Sequence, residues 1–226
     1  MLIWLCDSAM KPVHNEKKKE KYMGRVSDAK VKLMDAVTEL IWTGSYGSTT
    51  IDQICEKAGV KKRSFYHFFE GKSQLADEAL DTTWQATRVE LDSIFSATVP
   101  PLVRLQKYCD FGYKFQAEKQ AKFGYVLGCP LFSVGCEVCT QEDTLQKKIK
   151  SILEYKRRYI ETAIRDAIAT GEVKVADPAV AARMVMAYIE GLLTQARIQN
   201  DLSVVLEMAS GIFSMLGVKS TETATV

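Results

Sequence analysis

The stretch from residue 49 to residue 69 constrains the fold more than any other part of the chain. It reads Thr-Thr-Ile-Asp-Gln-Ile-Cys-Glu-Lys-Ala-Gly-Val-Lys-Lys-Arg-Ser-Phe-Tyr-His-Phe-Phe. Ile51, Ile54 and Ala58 recur at helical spacing on one face, and Gly59 then interrupts the pattern. Glycine tolerates the positive φ that a tight turn between two helices often requires. The stretch therefore predicts two short helices joined at Gly59.

The second of these helices has one apolar side and one polar side. Phe65, Phe68 and Phe69 lie at positions i, i+3 and i+4, so we expect them to pack inward. The other residues are polar or can form hydrogen bonds: Lys61, Lys62, Arg63, Ser64, Tyr66 and His67. This division is typical of a recognition helix, whose N-terminal half carries groups for phosphates and base edges.

The first helix of the pair has its own start signal. Thr50 precedes it and Gln53 follows three residues later, which is the spacing of a capping box. The alternative is an ordinary helical hairpin with a solvated basic face. The coincidence of a cap, a turn glycine, an apolar pattern and a basic cluster favours a DNA-binding helix-turn-helix.

Residues 27–80 resemble the N-terminal domain of the TetR family of transcriptional regulators. The similarity runs through Ser-Thr-Thr-Ile-Asp-Gln-Ile-Cys-Glu-Lys-Ala-Gly-Val, then Ser-Phe-Tyr-His-Phe-Phe, then Gly-Lys-Ser-Gln-Leu at residues 71–75. The resemblance implies a three-helix DNA-binding head, a long fourth helix, and an all-helical domain for ligand binding and dimerisation. It also implies a homodimer formed through the last two helices.

Sequence reading is expected from Lys61, Lys62, Arg63 and Ser64. An arginine such as Arg63 can bind guanine through two hydrogen bonds, worth about 1–3 kcal/mol of discrimination, whereas the two lysines can equally touch phosphates. Lys72 is the strongest phosphate candidate, because its ammonium and the backbone N–H groups of a helix start point the same way. Further contacts to the DNA backbone are expected from Thr49, Thr50, Tyr66 and His67. One head covers about half a turn of DNA, so a dimer on a near-palindromic operator is expected.

Composition agrees with a nucleic-acid partner for the N-terminal part. The 226 residues carry a net charge of only +2, but basic residues crowd positions 11–32 and 61–63. A solvated tail is the alternative for residues 11–22. No apolar run approaches the ~20 residues that cross a bilayer, so we expect no membrane partner. Six cysteines without a secretion signal indicate a reducing cytoplasm.

The pattern of helices predicts an all-α chain, since no segment shows sustained period-2 alternation. Helices are expected from about Ser27 to Gly44, from 72 to 96, from 101 to 121, from 142 to 170, from 178 to 199, and from 202 to 216. The predicted domains are a disordered basic extension (1–22), a helix-turn-helix domain (23–71), a helical effector-binding and dimerisation domain (72–218) and a tail (219–226).

A cysteine-containing segment, residues 128–139, is the second informative region. It contains Gly-Cys-Pro-Leu-Phe and then Gly-Cys-Glu-Val-Cys, and it resembles a TetR subgroup with regulators that sense electrophiles, aldehydes or oxidants through a cysteine. The resemblance implies that Cys129 is the sensing position. Cys129 is expected at the start of a short helix, where a thiol pKa is lowered.

Other roles for the three cysteines stay open. A free cysteine is often a small buried hydrophobe. Cys136 and Cys139 have zinc-ligand spacing, but they form a single pair, and the chain has only His14 and His67 to complete a site. A thiol-dependent redox enzyme using Cys129, Cys136 and Cys139 is the alternative function. It lacks a partner base and a cofactor motif, so we expect no enzyme, no metal and no cofactor.

A noncovalent effector is expected to bind among the later helices, beside aromatic walls that include Trp84, Tyr113, Phe132 and Tyr159. Ligand binding or thiol modification would tilt the fourth helix and change the separation of the two heads. The heads would then no longer fit half-sites about 34–36 Å apart. The predicted function is a homodimeric repressor released from its operator by a small molecule or by cysteine modification.

Overall fold

The computed structural model describes residues 16–138 and 140–218, with side chains described from Asp28 onward. Every regular element in these ranges is a helix, which confirms the all-α prediction. The helices are α1 (Glu16–Thr43), α2 (Ile51–Ala58), α3 (Lys62–Phe68), α4 (Lys72–Ile94), α5 (Pro101–Phe123), α6 (Pro130–Val138), α7 (Asp143–Ala169), α8 (Pro178–Gln199), α9 (Ser203–Leu206) and α10 (Met208–Met215).

The first helix starts earlier than the sequence pattern indicated. α1 begins at Glu16 rather than near Ser27. Residues 16–22, predicted as part of a disordered extension, are therefore helical, and they consist largely of Glu and Lys, which are good helix formers. The predictions for residues 1–15 and for the tail 219–226 lie outside the described residues.

Two hydrophobic clusters hold the molecule together. The first unites α1–α3 with the start of α4, and it centres on fully buried side chains such as Leu33, Ile54 and Phe65. This cluster also includes Val134 and Val138 of α6. The second cluster lies among α4, α5 and α7–α10. The head is therefore packed directly onto the helical body through α6.

The C-terminal helix is divided, whereas the sequence pattern predicted one helix from 202 to 216. Glu207 separates α9 from α10, and its N–H bonds the carbonyl of Val204 rather than continuing the α-helical ladder. The hydroxyl of Tyr188 donates to the Glu207 carbonyl at 3.2 Å. Leu206 at the end of α9 is 62% exposed. The break in the helix thus coincides with a tertiary contact from Tyr188. Such a contact cannot be predicted from the spacing of apolar residues.

Gly211 allows α10 to pack against α8. A Cβ added at Gly211 would overlap the hydroxyl and ring of Tyr188. Alanine in a helix interior normally stabilises by about 0.5–1 kcal/mol relative to glycine. Here we expect Gly211→Ala to destabilise by about 1–3 kcal/mol, because the ring must move out of a packed position. Denaturant unfolding measures the change.

The matched control is Gly112→Ala on α5. Its added Cβ would meet only the Met208 side chain, at 3.8 Å, which is ordinary van der Waals contact. We expect this variant to be neutral or slightly more stable. Equal effects of the two substitutions would contradict the proposed close approach at Gly211.

Candidate nucleic-acid interface and internal cavity

The helix-turn-helix forms as the sequence predicts. The Gln53 backbone N–H donates to the Thr50 hydroxyl at 3.2 Å, and the Thr50 N–H donates to the Gln53 side chain at 2.8 Å, which completes the capping box. Gly59 ends α2 with φ +63. Phe65 and Phe69 are buried, so the opposite side of α3 is turned outward.

The outward side of α3 carries the predicted base-reading residues. Lys61, Lys62 and Arg63 are exposed, and Ser64 is half-buried. Tyr66 is 54% exposed, and His67 is also exposed. The structure thus places these groups on one accessible surface.

One of these residues already has a partner. The Lys62 ammonium lies 2.8 Å from the Asp52 carboxylate at the start of α2. The hydrogen bond to Asp52 raises the pKa of Lys62. An exposed pair of this kind adds little stability. Asp52 therefore offsets part of the positive charge that Lys62 presents on this surface.

Two residues that were predicted to contact DNA phosphates already form hydrogen bonds within the protein. The Thr49 hydroxyl is buried and donates to the Ser45 carbonyl at 2.7 Å. The Lys72 ammonium donates to the carbonyls of Tyr46 and Thr49 at 2.7 and 2.8 Å, and it lies over the Tyr46 ring. Burial lowers the pKa of Lys72, against the charges of Glu142 and Glu137. A phosphate contact by Lys72 would use its remaining N–H.

The loop between α1 and α2, residues 44–49, is also held by the helical body. The Gly47 N–H donates to the Glu137 carboxylate of α6 at 2.8 Å. The Tyr46 hydroxyl donates to Glu142 at 3.1 Å, and burial together with this carboxylate raises the pKa of Tyr46 to about 12. The sequence pattern does not predict these contacts, because the partners lie 90 and 96 residues apart along the chain.

An internal cavity of about 120 Å³ lies between α1 and α4–α8. Its walls are mainly rings and aliphatic groups, and Trp84 is among them, as expected. Tyr113, Phe132 and Tyr159 do not line it. Phe132 is 42% exposed on a second groove between α6, α7 and α8, and Tyr159 packs on Phe95 with its hydroxyl on Asp92.

The predicted cysteine site is not a single site. Cys129 immediately precedes α6, as expected, and lines the internal cavity. Cys136 is exposed in the second groove, and Cys139 lies outside the described residues. Cys129 and Cys136 therefore face different spaces.

The predicted lowering of the Cys129 pKa is wrong. Burial and the negative charge of Glu190 raise the pKa of Cys129 to about 12, against smaller opposing effects of Lys156 and the Phe132 backbone N–H. Desolvation disfavours the thiolate more strongly than the start of a nine-residue helix favours it. Most of the thiol stays protonated near neutral pH.

A charged pair adjoins this thiol, with a buried carboxylate and an ammonium side chain that is 15% exposed. The Lys156 ammonium of α7 lies 4.0 Å from a carboxylate oxygen of Glu190 on α8. Glu190 is 3% exposed, and neither of its carboxylate oxygens has a hydrogen-bond partner among the described residues. Burial opposes the charged form of Lys156, but Tyr108, Cys129 and Glu190 together raise its pKa. In the sequence, Lys156 and Glu190 each interrupt a series of apolar residues at helical spacing, and this interruption is the signal from which the pair could have been predicted.

None of the helices in the described part of the chain is both long and apolar enough to span a membrane. Within residues 16–138 and 140–218, no group of three or more His, Cys, Asp and Glu side chains is placed to hold a metal ion.

A head of this geometry, with a basic recognition helix on a helical body, defines a DNA-binding transcriptional regulator. The family model of bacterial regulatory proteins, tetR family, matches residues 33–79. The model of the tetracyclin repressor-like C-terminal domain matches residues 101–210. The chain belongs to the TetR family of transcriptional regulators.

Individual proteins agree with this assignment. The transcriptional regulator AcuR of Cereibacter sphaeroides is 28% identical over 171 residues, covering 74% of this chain and 75% of that protein. The transcriptional repressor DhaR of Mycobacterium sp. strain GP1 is 23% identical over 186 residues, covering 81% and 90%. A crystal structure of a TetR regulatory protein from Rhodobacter sphaeroides has the same fold, with a TM-score of 0.74, 24% identity, and coverage of 83% and 98%.

Burial and the raised pKa make Cys129 a slow nucleophile. We expect iodoacetamide at pH 7.5 to alkylate exposed Cys136 at least about tenfold faster than Cys129, because the thiolate is the reacting form. Since the pKa of Cys129 lies near 12, its rate should rise about tenfold per pH unit between pH 7 and 9. Peptide mass spectrometry follows each site, and Cys129→Ser identifies the slow one. Equal rates at pH 7.5 would contradict the described burial.

Proposed function

We propose that this regulator is a homodimeric repressor that binds a near-palindromic operator and is released by a small molecule in the internal cavity. The observation that carries the proposal is the exposed basic half of α3, held on a helix that is anchored in the head by buried Phe65 and Phe69. A rigidly presented cationic surface can enter the major groove without rearranging the head. The name of the relative DhaR, a transcriptional repressor, supports the direction of regulation.

Base reading is assigned to Arg63, with Lys61 and Ser64 beside it on the same surface. Arg63 is exposed, whereas Lys62 is paired with Asp52. A bidentate arginine contact to guanine carries sequence information, while the lysines add affinity that depends on salt. Tyr66 and His67, together with Thr50, are proposed as contacts to the DNA backbone.

Dimerisation is assigned to the last helices of the body. Exposed apolar side chains project from α8–α10: Val180, Met184, Ile198, Leu206 and Met215. Met184 is 52% exposed, and Met215 lies beside it at the same groove. A second copy of the chain would cover this apolar surface by two-fold symmetry.

The effector is assigned to the internal cavity, because the cavity adjoins α4, which connects the head to the body. Modification of Cys129 is a second route to release, and the observation in its favour is that Cys129 lines this cavity. Its raised pKa requires a reactive molecule to be held beside the thiol before reaction. The thiol-enzyme alternative has no support, since Cys129 and Cys136 face different spaces.

Operator selection from random duplex DNA tests the DNA-binding proposal. We expect an enriched palindrome, and we expect Arg63→Ala to weaken binding to it by about 5–100-fold and to relax one base position in each half-site, because a bidentate guanine contact is lost. Fluorescence anisotropy measures the affinities.

Arg88→Ala is the control for this experiment. Arg88 is exposed on α4 and pairs with Asp92, away from the recognition helix, so its loss should leave operator affinity within about twofold. No enriched sequence at low salt would overturn the proposal. An unchanged motif and affinity in Arg63→Ala would overturn the role of Arg63.

The dimer proposal predicts that Met184→Glu separates the protomers. A two-fold interface repeats the substitution, so two carboxylates would be buried without partners. We expect dimerisation at least about 100-fold weaker, measured by sedimentation velocity. Val89→Glu, at a 69% exposed position on α4, should leave the dimer unchanged. A Met184→Glu protein that sediments like the unmodified dimer would place the interface elsewhere.

A further inference from the structure

We propose that Trp42, a residue of the DNA-binding head, is itself part of the effector site, so that a flat, largely apolar ligand acts directly on α1. The proposal rests on the internal cavity being the effector site of the proposed repressor. It adds a transmitting residue to that site and a chemical class for its ligand.

The position of Trp42 is the first reason. Trp42 lies one residue before the end of α1, is 5% exposed, and lines the cavity. Its ring lies 5.2 Å from that of Phe115 on α5, which also lines the cavity. A molecule that fills this space therefore touches the head itself.

The cavity walls set the class of ligand. Trp42, Trp84, Phe111 and Phe115 present ring faces and edges to the space, which suits a flat aromatic or conjugated molecule. Lys156 is the one charged side chain among the described lining residues. The ligand should therefore carry one hydrogen-bond acceptor, a carboxylate or a carbonyl, within reach of that ammonium.

Trp42 is fixed to the body by a buried hydrogen bond. Its indole N–H donates to the carbonyl of Gly128 at 3.2 Å. The Gln116 side chain donates to the same carbonyl at 3.0 Å and accepts from the Gly128 N–H at 2.9 Å. Gly128 has φ +67, and an added Cβ would lie 3.1 Å from the Leu193 carbonyl. The Gly128 carbonyl, which accepts the indole hydrogen bond, therefore belongs to a tightly packed backbone segment.

A displaced indole has consequences in the head. Trp42 leads into the loop 44–49, whose Gly44 carbonyl accepts from Arg197 of α8 at 3.3 Å and whose Gly47 N–H donates to Glu137 of α6. Arg197 also donates to Ser133 of α6 at 2.9 Å. The end of α1 and the loop are thus fastened along α6. A ligand that separates Trp42 from Gly128 loosens this attachment next to the start of α2.

Fluorine NMR of the 5-fluorotryptophan-labelled protein tests the contact with only one fluorine atom added to each indole. The chain has three tryptophans, and single Trp→Phe variants assign their signals. Benzoate serves as the probe, since it is flat, largely apolar, carries one carboxylate and is small enough for a cavity of about 120 Å³. We expect the Trp42 and Trp84 signals both to shift on titration. A Trp84 shift without a Trp42 shift overturns the role of Trp42, and no shift of either signal overturns the ligand class.

The effect of the probe on operator affinity tests whether ligand binding at Trp42 is transmitted to the DNA-binding surface. With the operator obtained by selection, we expect a saturating probe to weaken operator binding about tenfold in the unmodified protein. In Trp42→Phe, which keeps a ring but loses the indole N–H, the weakening of operator binding at saturating probe should fall below about threefold. Tyr125→Phe, at a 63% exposed position outside the cavity lining, is the control and should keep the tenfold weakening.

A full tenfold linkage in Trp42→Phe would overturn the proposal. If the probe shifts the Trp42 signal but leaves operator affinity unchanged in the unmodified protein, effector release as proposed above fails, whereas the contact of Trp42 with the ligand stands. If the protein selects no operator, the DNA-binding proposal fails, and the NMR titration still decides whether Trp42 belongs to the ligand site.

Discussion

The attachment of the loop 44–49 is the constraint on which the DNA-reading surface depends. A loop that leads into a recognition motif has backbone groups without helical partners, and each of them needs another partner when it is buried. Here Lys72 of α4 satisfies two carbonyls, and Glu137 of α6 satisfies the Gly47 N–H. The start of α2, and with it the direction of α3, is therefore set by side chains of the helical body.

The local motifs were predictable from the sequence because they depend on neighbouring residues. The capping box of Thr50 and Gln53, the positive φ of Gly59 and the inward side of Phe65 each follow from a spacing of a few positions. The long-range contacts were not predictable in this way. The partners Trp42 and Gly128 are 86 residues apart, and Arg197 and Gly44 are 153 apart, so only the packed fold brings them together.

Lys72 and Cys129 lie where the sequence predicted them, but burial changes their hydrogen bonding and their charge state. Each lies at the start of a helix, as expected, and the helix start is a favourable place for a phosphate ligand and for a thiolate. In the fold, however, Lys72 is turned onto two carbonyls, and Cys129 lies beside the Glu190 carboxylate in an apolar space. Residue type and register specify where a group lies, while its charge state depends on neighbours from other helices.

The pair of Lys156 and Glu190 is difficult to explain as a source of stability. A buried carboxylate that lies 4.0 Å from a partly exposed ammonium, and has no hydrogen-bond partner among the described residues, recovers only part of its desolvation free energy. An apolar pair of similar size would hold α7 to α8 at least as well. Lys156, at the wall of the largely apolar cavity, does provide something that apolar packing cannot, which is a group whose interactions change when a polar ligand arrives.

The hydrophobic cluster that α6 shares with the head would connect a change at the cavity to the DNA-binding head. Val134 and Val138 of α6 belong to the same hydrophobic cluster as Leu33 and Phe65, while Leu131 of α6 contacts both cores and lines the cavity. Close-packed interiors shift between discrete arrangements rather than deforming continuously. In the proposed release, a ligand that repositions the start of α6 would change the packing beneath the recognition helix, because α6 belongs to the core of the head as well as to the wall of the cavity.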